Sequence, residues 1–362
     1  NFRADAAQLW GTLSGADAAG FVDLLFSGDD TLAVSNIFGR PPSGPIVLDG
    51  GAGSDVLDLS RSQAPGSPTG IAVDMAAGTT DVGVSFRNIE TVIGTFRNDT
   101  FTGSARDDSF VGYGGNDTFD GGRGFDTVDY SRTLVTPTEG IAANLTAGRV
   151  VHGTRTDTLK SIEAVIGTAL DDTFVGDRKA NLFVGGAGAD DFDGRKGRDA
   201  IDYSRDAGAT AGIDADLSAG TVVDGFGATD TVRRIADVIG SALDDTIVGD
   251  RKNNRLVGGD GDDYIDGGRG ADRLEGGGGD DSLVGGGGRD VFGFGDREGR
   301  DTIVDFVSGI DRISLEAASV SSFEELSIRN RSGVATISWG ENTTIVVEGL
   351  RAADLDAGDF LF

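Results

Sequence analysis

The sequence predicts an all-β repeat fold, and three observations carry that reading. A nine-residue unit recurs with glycine at its opening positions, aspartate at the sixth and an apolar residue at the eighth. A second period of 73 residues sets Gly94, Gly167 and Gly240 at the heads of matching blocks, GTFRNDTFT, GTALDDTFV and GSALDDTIV. The composition agrees: 60 of 362 residues are glycine, which is more than twice average usage and leaves few core formers for an ordinary globular domain.

Taken in order, residues 1–26 differ from everything after them. Apolar positions at Leu9, Trp10, Leu13, Phe21, Leu24 and Leu25, interrupted by Gly11 and Gly15, predict two short amphipathic helices that cap one end. The repeat region spans 27–293. It opens with a degenerate unit, Ser27-Gly28-Asp29-Asp30-Thr31-Leu32, and an isolated copy at Gly50–Asp58. Three arrays follow, at 94–129, 167–202 and 240–293. Connectors of about 36 residues separate them, and Gly140-Ile141-Ala142-Ala143-Asn144-Leu145 matches Gly212-Ile213-Asp214-Ala215-Asp216-Leu217. Each array is preceded by a β-branched run, Ile89–Ile93, Ile162–Ile166 or Ile235–Ile239, which predicts a strand. Since 36 is four times nine, the connectors are expected to continue the same coil. Residues 294–362 lose the glycines and gain alternation at Asp301–Phe306 and Thr343–Val347, which predicts a β-rich terminal cap.

Within the nonapeptide the first six positions are turn chemistry and the last three a short strand. Glycine supplies positive φ and lets backbones approach. The eighth-position side chains, Leu57, Phe119, Val128, Phe192, Ile201, Ile265, Leu274, Leu283 and Phe292, are expected to point inward. One inward residue per nine cannot offset the entropy of ordering the chain, so a further source of folding energy is required. The sixth position supplies a candidate. It is Asp55, Asp99, Asp108, Asp117, Asp126, Asp172, Asp190, Asp199, Asp245, Asp263, Asp272, Asp281 and Asp290. A short carboxylate arm beside turn carbonyls is an oxygen cage for a hard cation, and Ca²⁺ tolerates such irregular geometry better than Mg²⁺. The substitutions Asn181 and Asn254, in GDRKANLFV and GDRKNNRLV, mark turns expected to bind metal weakly or not at all.

Charge and composition exclude much else. Of the 60 acidic residues 50 are Asp, against 31 basic residues, for a net charge of −29. Such a chain repels nucleic acid and anionic membranes and attracts cations. Zero Cys and the single His152 leave no thiolate, zinc-thiolate or multi-histidine chemistry. The G-x-G strings lead into aspartate and another turn, not a helix, so a dinucleotide site is not expected. The period accounts for the paired carboxylates, and no catalytic residue is assigned. No run of some 18 apolar residues exists to span a membrane. Asn1–Asp5 has neither an initiator Met nor a signal-peptide pattern, which reads as a processed chain or a segment of a longer one.

The arrays resemble the RTX, or hemolysin-type, calcium-binding nonapeptide repeats. That resemblance implies a right-handed parallel β-roll, two nonapeptides per coil, with several Ca²⁺ ions held between turns by the sixth-position carboxylates and turn carbonyls. The segment Arg300–Glu316 and the ending Asp359-Phe360-Leu361-Phe362 are similar to the C-terminal region of serralysin-like proteins, which implies export by type I secretion machinery. The expected protein is secreted, folds on meeting extracellular calcium, and is no enzyme. Its expected role is structural or at the cell surface, S-layer or adhesin-like, by self-assembly or by contact with surface glycan. The alternative is the folding and secretion module of a larger exoenzyme such as a protease, lipase or polysaccharide-modifying enzyme.

Overall fold

A computed structural model describes residues 28–35, 46–62, 69–132, 138–340 and 343–362. The helices expected within 1–26 lie outside the described residues. The chain divides into two compact units, Asn1–Thr136 with Gly148–Val165, and Pro137–Ala147 with Ile166–Phe362. The sequence reading draws one repeat region from 27 to 293 with a cap at either end.

Both units are parallel β-rolls. A three-residue strand, a six-residue turn, a second strand and a second turn make one coil, so like residues pair at a spacing of 18. In the first unit Phe101 pairs with Phe119 in register. In the second, Phe174 pairs with Phe192, Leu256 with Leu274 and Ile265 with Leu283. Successive strands therefore fall alternately into two facing parallel sheets. The in-register stack makes identical side chains meet: Phe101 and Phe119 stack with centroids 5.0 Å apart, and Phe174 and Phe192 at 4.9 Å. All nine of the apolar residues expected to point inward are fully buried. Each contributes roughly 1.5–3 kcal/mol of apolar burial.

The connectors depart from the expected coil. In the second unit, Asp214–Asp216, Thr221–Val223 and Thr229–Arg233 form an antiparallel meander. Its first strand pairs in parallel with Thr246–Val248 and its last with Asp191–Asp193. Asp191 therefore meets Thr231, a spacing of 40 residues instead of 18. The first unit does the same with Ala72–Asp74, Thr79–Thr80 and Val84–Arg87, which lead into Thr100–Thr102 and back to Ile46–Asp49. Gly78 (φ +63°) and Gly220 (φ +79°) make these tight reversals possible.

The terminal segment is β-rich as expected. Gly299–Ile303 continues one sheet and pairs with Thr343–Val347, which is itself hairpinned against Val334–Trp339. Trp339 packs there with its indole N–H donating to Asp296 at 3.0 Å. The final residues are part of the fold. Phe360 pairs with Ile313, and Asp359, 1% exposed, accepts from the Gly309 amide at 2.8 Å.

Candidate metal centre

All thirteen sixth-position aspartates lie buried at the end of a turn, none more than 4% exposed. The turn Gly258–Asp263 shows why the sequence builds them this way. Gly259 (φ +130°) and Gly261 (φ +116°) occupy left-handed backbone that other residues resist. At Gly258 a Cβ would fall 2.0 Å from Asp263 Oδ2, so only glycine leaves the carboxylate its place.

The carboxylates are linked in ladders. In the inner turns of the arrays Oδ1 accepts the backbone N–H of the sixth-position residue one coil earlier. The Asp245 amide donates to Asp263 at 2.7 Å, Asp263 to Asp281 at 2.9 Å, and Asp281 to Asp301 at 3.1 Å. On the other edge Asn254 donates to Asp272, Asp272 to Asp290 and Asp290 to Asp311. In the first unit Asp99 leads to Asp117 and then Asp157, Asp108 to Asp126 and then Glu163, and Asp55 to Glu90. Asp172 leads to Asp190 and then Asp230.

The ladders therefore extend through residues that sequence reasoning missed: Glu90, Asp157, Glu163, Asp230, Asp301 and Asp311. A signal was present in the triplet of acid, any residue and apolar, as in Asp157-Thr158-Leu159, Asp230-Thr231-Val232, Asp301-Thr302-Ile303 and Asp311-Arg312-Ile313. Missing glycines concealed it. Two further acids stand outside the ladders: buried Asp224 and half-buried Asp206 each keep one buried oxygen without a hydrogen-bond partner.

The second carboxylate oxygen divides the thirteen residues chemically. Oδ2 of Asp55, Asp126, Asp190, Asp199, Asp263, Asp272 and Asp281, with that of Asp301, is buried and has no hydrogen-bond partner. Leaving so many buried acceptors unmet is costly. Residues at the heads of arrays differ. Asp99 and Asp172 take the amide and hydroxyl of Thr95 and Thr168, and Asp108 and Asp245 those of Ser104 and Ser241. Three of them also accept a connector amide, from Ile71, Ile141 or Ile213. The protein itself thus engages both oxygens in these four. Asn181 and Asn254 are similarly self-contained: the Asn254 side chain accepts from the Asp250 amide and donates to the Ala236 carbonyl.

Burial and mutual repulsion raise the acids accordingly. Desolvation pushes Asp117 and Asp190 up to about 9, aided by Asp157 and Asp99 in the one case and by Asp230 and Asp172 in the other. Asp263 and Asp301 rise to about 8, and Asp126, Asp199 and Asp272 to about 7, with burial the largest cause in each. Stacked carboxylates without a cation resist ionisation. Among the described residues no group of three or more His, Cys, Asp or Glu side chains forms a metal cage. Each turn offers one buried sixth-position carboxylate, so turn carbonyls have to complete an oxygen shell, and that donor set suits a large, flexible, hard cation.

A family model for the RTX calcium-binding nonapeptide repeat matches residues 47–61, 93–128, 166–201, 239–274 and 266–296. The chain belongs to the RTX calcium-binding nonapeptide repeat family. Calcium is the cation of the RTX repeats. The matched segments contain all thirteen sixth-position aspartates, while the linking acids at 157, 230, 301 and 311 fall outside them. Among solved structures the RTX chain is similar to the AlgE6R3 subunit of the Azotobacter vinelandii mannuronan C5-epimerase, with 30% identity over 34% of this chain and 81% of that one, at a TM-score of 0.29. It is also similar to the extracellular lipase LipA from Serratia marcescens, with 14% identity over 91% of this chain, at a TM-score of 0.31. It spans 46% of the lipase's length. No curated protein matches the sequence.

Proposed function

We propose that this chain is an exported RTX β-roll that folds when calcium fills its turns, and that the folded roll serves a structural or cell-surface role without a catalytic site of its own. One observation carries the calcium reading: the row of buried, unpartnered Oδ2 atoms at Asp55, Asp126, Asp190, Asp199, Asp263, Asp272, Asp281 and Asp301. These residues would hold the ions together with neighbouring turn carbonyls. Bound Ca²⁺ supplies positive charge and coordination to oxygens that the protein leaves unmet, so binding energy becomes folding energy. Asp117 and Asp290, which occupy the same ladders, belong with this group. Asp99, Asp108, Asp172 and Asp245 are closed by hydroxyl and amide donors and are the weaker ligands. A loading of roughly eight to twelve ions would cancel most of the net charge of −29.

Export before folding follows from the same chemistry. Calcium is scarce in a cytosol, and extracellular modules typically bind it at about 10⁻⁴–10⁻³ M. The chain would cross type I machinery unfolded and close outside. A second reading, the folding module of a larger exoenzyme, draws on the sequence likeness to a subunit of an epimerase. Light scattering on the calcium-loaded chain separates them: ordered multimers support the structural role, and a strict monomer at high concentration counts against it.

A further inference from the structure

The second unit segregates its charge between the two edges of the roll. On one edge the turns are Gly167–Asp172, Gly185–Asp190, Gly240–Asp245, Gly258–Asp263 and Gly276–Asp281. They contain ten acids and no basic residue. On the other edge the turns are Gly176–Asn181, Gly194–Asp199, Gly249–Asn254, Gly267–Asp272 and Gly285–Asp290. These contain nine basic residues and five acids, of which Asp199, Asp272 and Asp290 are buried ladder carboxylates. Both asparagine turns lie on this edge, so the residues that lower its calcium demand also raise its positive charge.

The cations are in register. Arg178, Lys196, Arg251 and Arg269 all occupy the third position of their turns, all are exposed, and none makes an ion pair among the described residues. Their neighbours are committed elsewhere: Arg195 and Arg234 both pair with Asp193, Arg198 with Asp237 at 2.7 Å, and Lys252 with Asp250. Turns stack along the edge in the direction of strand pairing, where neighbours lie about 4.8 Å apart, and the connector turn through Arg234 stands between those of Lys196 and Arg251. At one end the row opens into a groove of about 360 Å³ lined by Thr146, Asp177, Arg178, Arg195, Lys196 and Arg234.

We propose that this edge binds a linear polyuronate, an acidic polysaccharide with one carboxylate per sugar, through Arg178, Lys196, Arg251 and Arg269. One unpaired cation per nonapeptide turn, in two adjacent pairs on either side of the connector turn, suits a polymer with a single anionic group on each residue. Guanidinium forks meet such carboxylates in a bidentate geometry. A duplex nucleic acid is the poorer fit, because one charge per 1.7 Å or so would be repelled by the acidic face of the same roll. The surface is available whether the chain is structural or an exoenzyme module.

The test uses the full chain saturated with calcium and a short oligogalacturonide, followed by isothermal titration calorimetry at two salt concentrations. Replacing Arg178, Lys196, Arg251 and Arg269 together by Ala should weaken binding about tenfold or more and flatten its salt dependence. Replacing Arg300, Arg329, Arg331 and Arg351 by Ala removes the same charge elsewhere and should change affinity less than about twofold, since it leaves only diffuse attraction altered. Far-UV circular dichroism of both variants in calcium confirms that each is folded. Equal losses in the two variants, no binding by the parent chain, or tighter binding of duplex DNA than of the oligogalacturonide would each overturn the proposal.

Discussion

Asp263→Asn should move the metal-free and calcium-loaded forms in opposite directions. In the metal-free fold Asp263 Oδ1 accepts the Asp245 amide while Oδ2 is buried without a partner, and burial with Asp245, Asp281 and Asp244 pushes the acid from 3.8 up to about 8. At pH 7 the folded state must keep that group protonated while the unfolded state ionises it. At about 1.4 kcal/mol per pH unit the difference approaches 4 kcal/mol, and solvent screening at a turn reduces it to about 1–3 kcal/mol. Asparagine keeps the Oδ1 acceptor, and Asn254 shows that the same turn geometry accommodates it. In chelator, D263N should therefore hold its β signal to higher pH than the parent, a gain of about 1–3 kcal/mol in the metal-free fold, whereas in calcium its urea melt should fall below the parent's because a ligand is gone. Asp245→Asn is the control, since Ser241 already engages that carboxylate and the gain should be smaller. A D263N chain less stable than the parent in chelator would refute the idea that unmet carboxylates oppose folding.

Two further outcomes follow from the same ladders. Raised acids make the metal-free fold bind more protons than the unfolded chain, so its stability is fullest below pH 3.8 or so and falls as pH climbs through the values of about 6 to about 9 at Asp290, Asp272, Asp263 and Asp190. Far-UV circular dichroism in chelator should thus lose β signal between pH 4 and 9, and saturating calcium should abolish that loss; a metal-free signal that strengthens with pH contradicts the shifts. Asp263→Ala should lower the cooperativity of calcium binding in the last array far more than Asn254→Ala, read by calcium titration, and equal effects would count against the sixth-position assignment.

The period made the arrays legible because each nonapeptide states its whole structure locally: glycine where φ is positive, aspartate where amides converge, one apolar residue where the strand turns inward. Connectors were harder. Their meanders pair residues 40 apart, and nothing in the run from Gly212 to Ile239 announces antiparallel pairing beyond Gly220 and its flanking Thr and Val residues. The ladder acids Asp157 and Asp230 were hidden for the same reason, as they occupy sixth positions reached through a hairpin instead of a glycine turn. Nor did the nonapeptide consensus distinguish array-opening carboxylates from inner ones. The second residue did: Thr95, Thr168, Ser104 and Ser241 carry the hydroxyls that satisfy Asp99, Asp172, Asp108 and Asp245, where inner aspartate turns have glycine, as at Gly186 and Gly259, or else Tyr113 or Arg195.

The central claim is that calcium supplies folding energy to a chain whose stacked carboxylates otherwise oppose the roll. Far-UV circular dichroism at pH 7.5 or so, recorded in calcium, after chelation and after calcium is restored, tests it most directly. The account predicts a β signal that collapses on chelation and returns with calcium; a signal unchanged by chelation would contradict it.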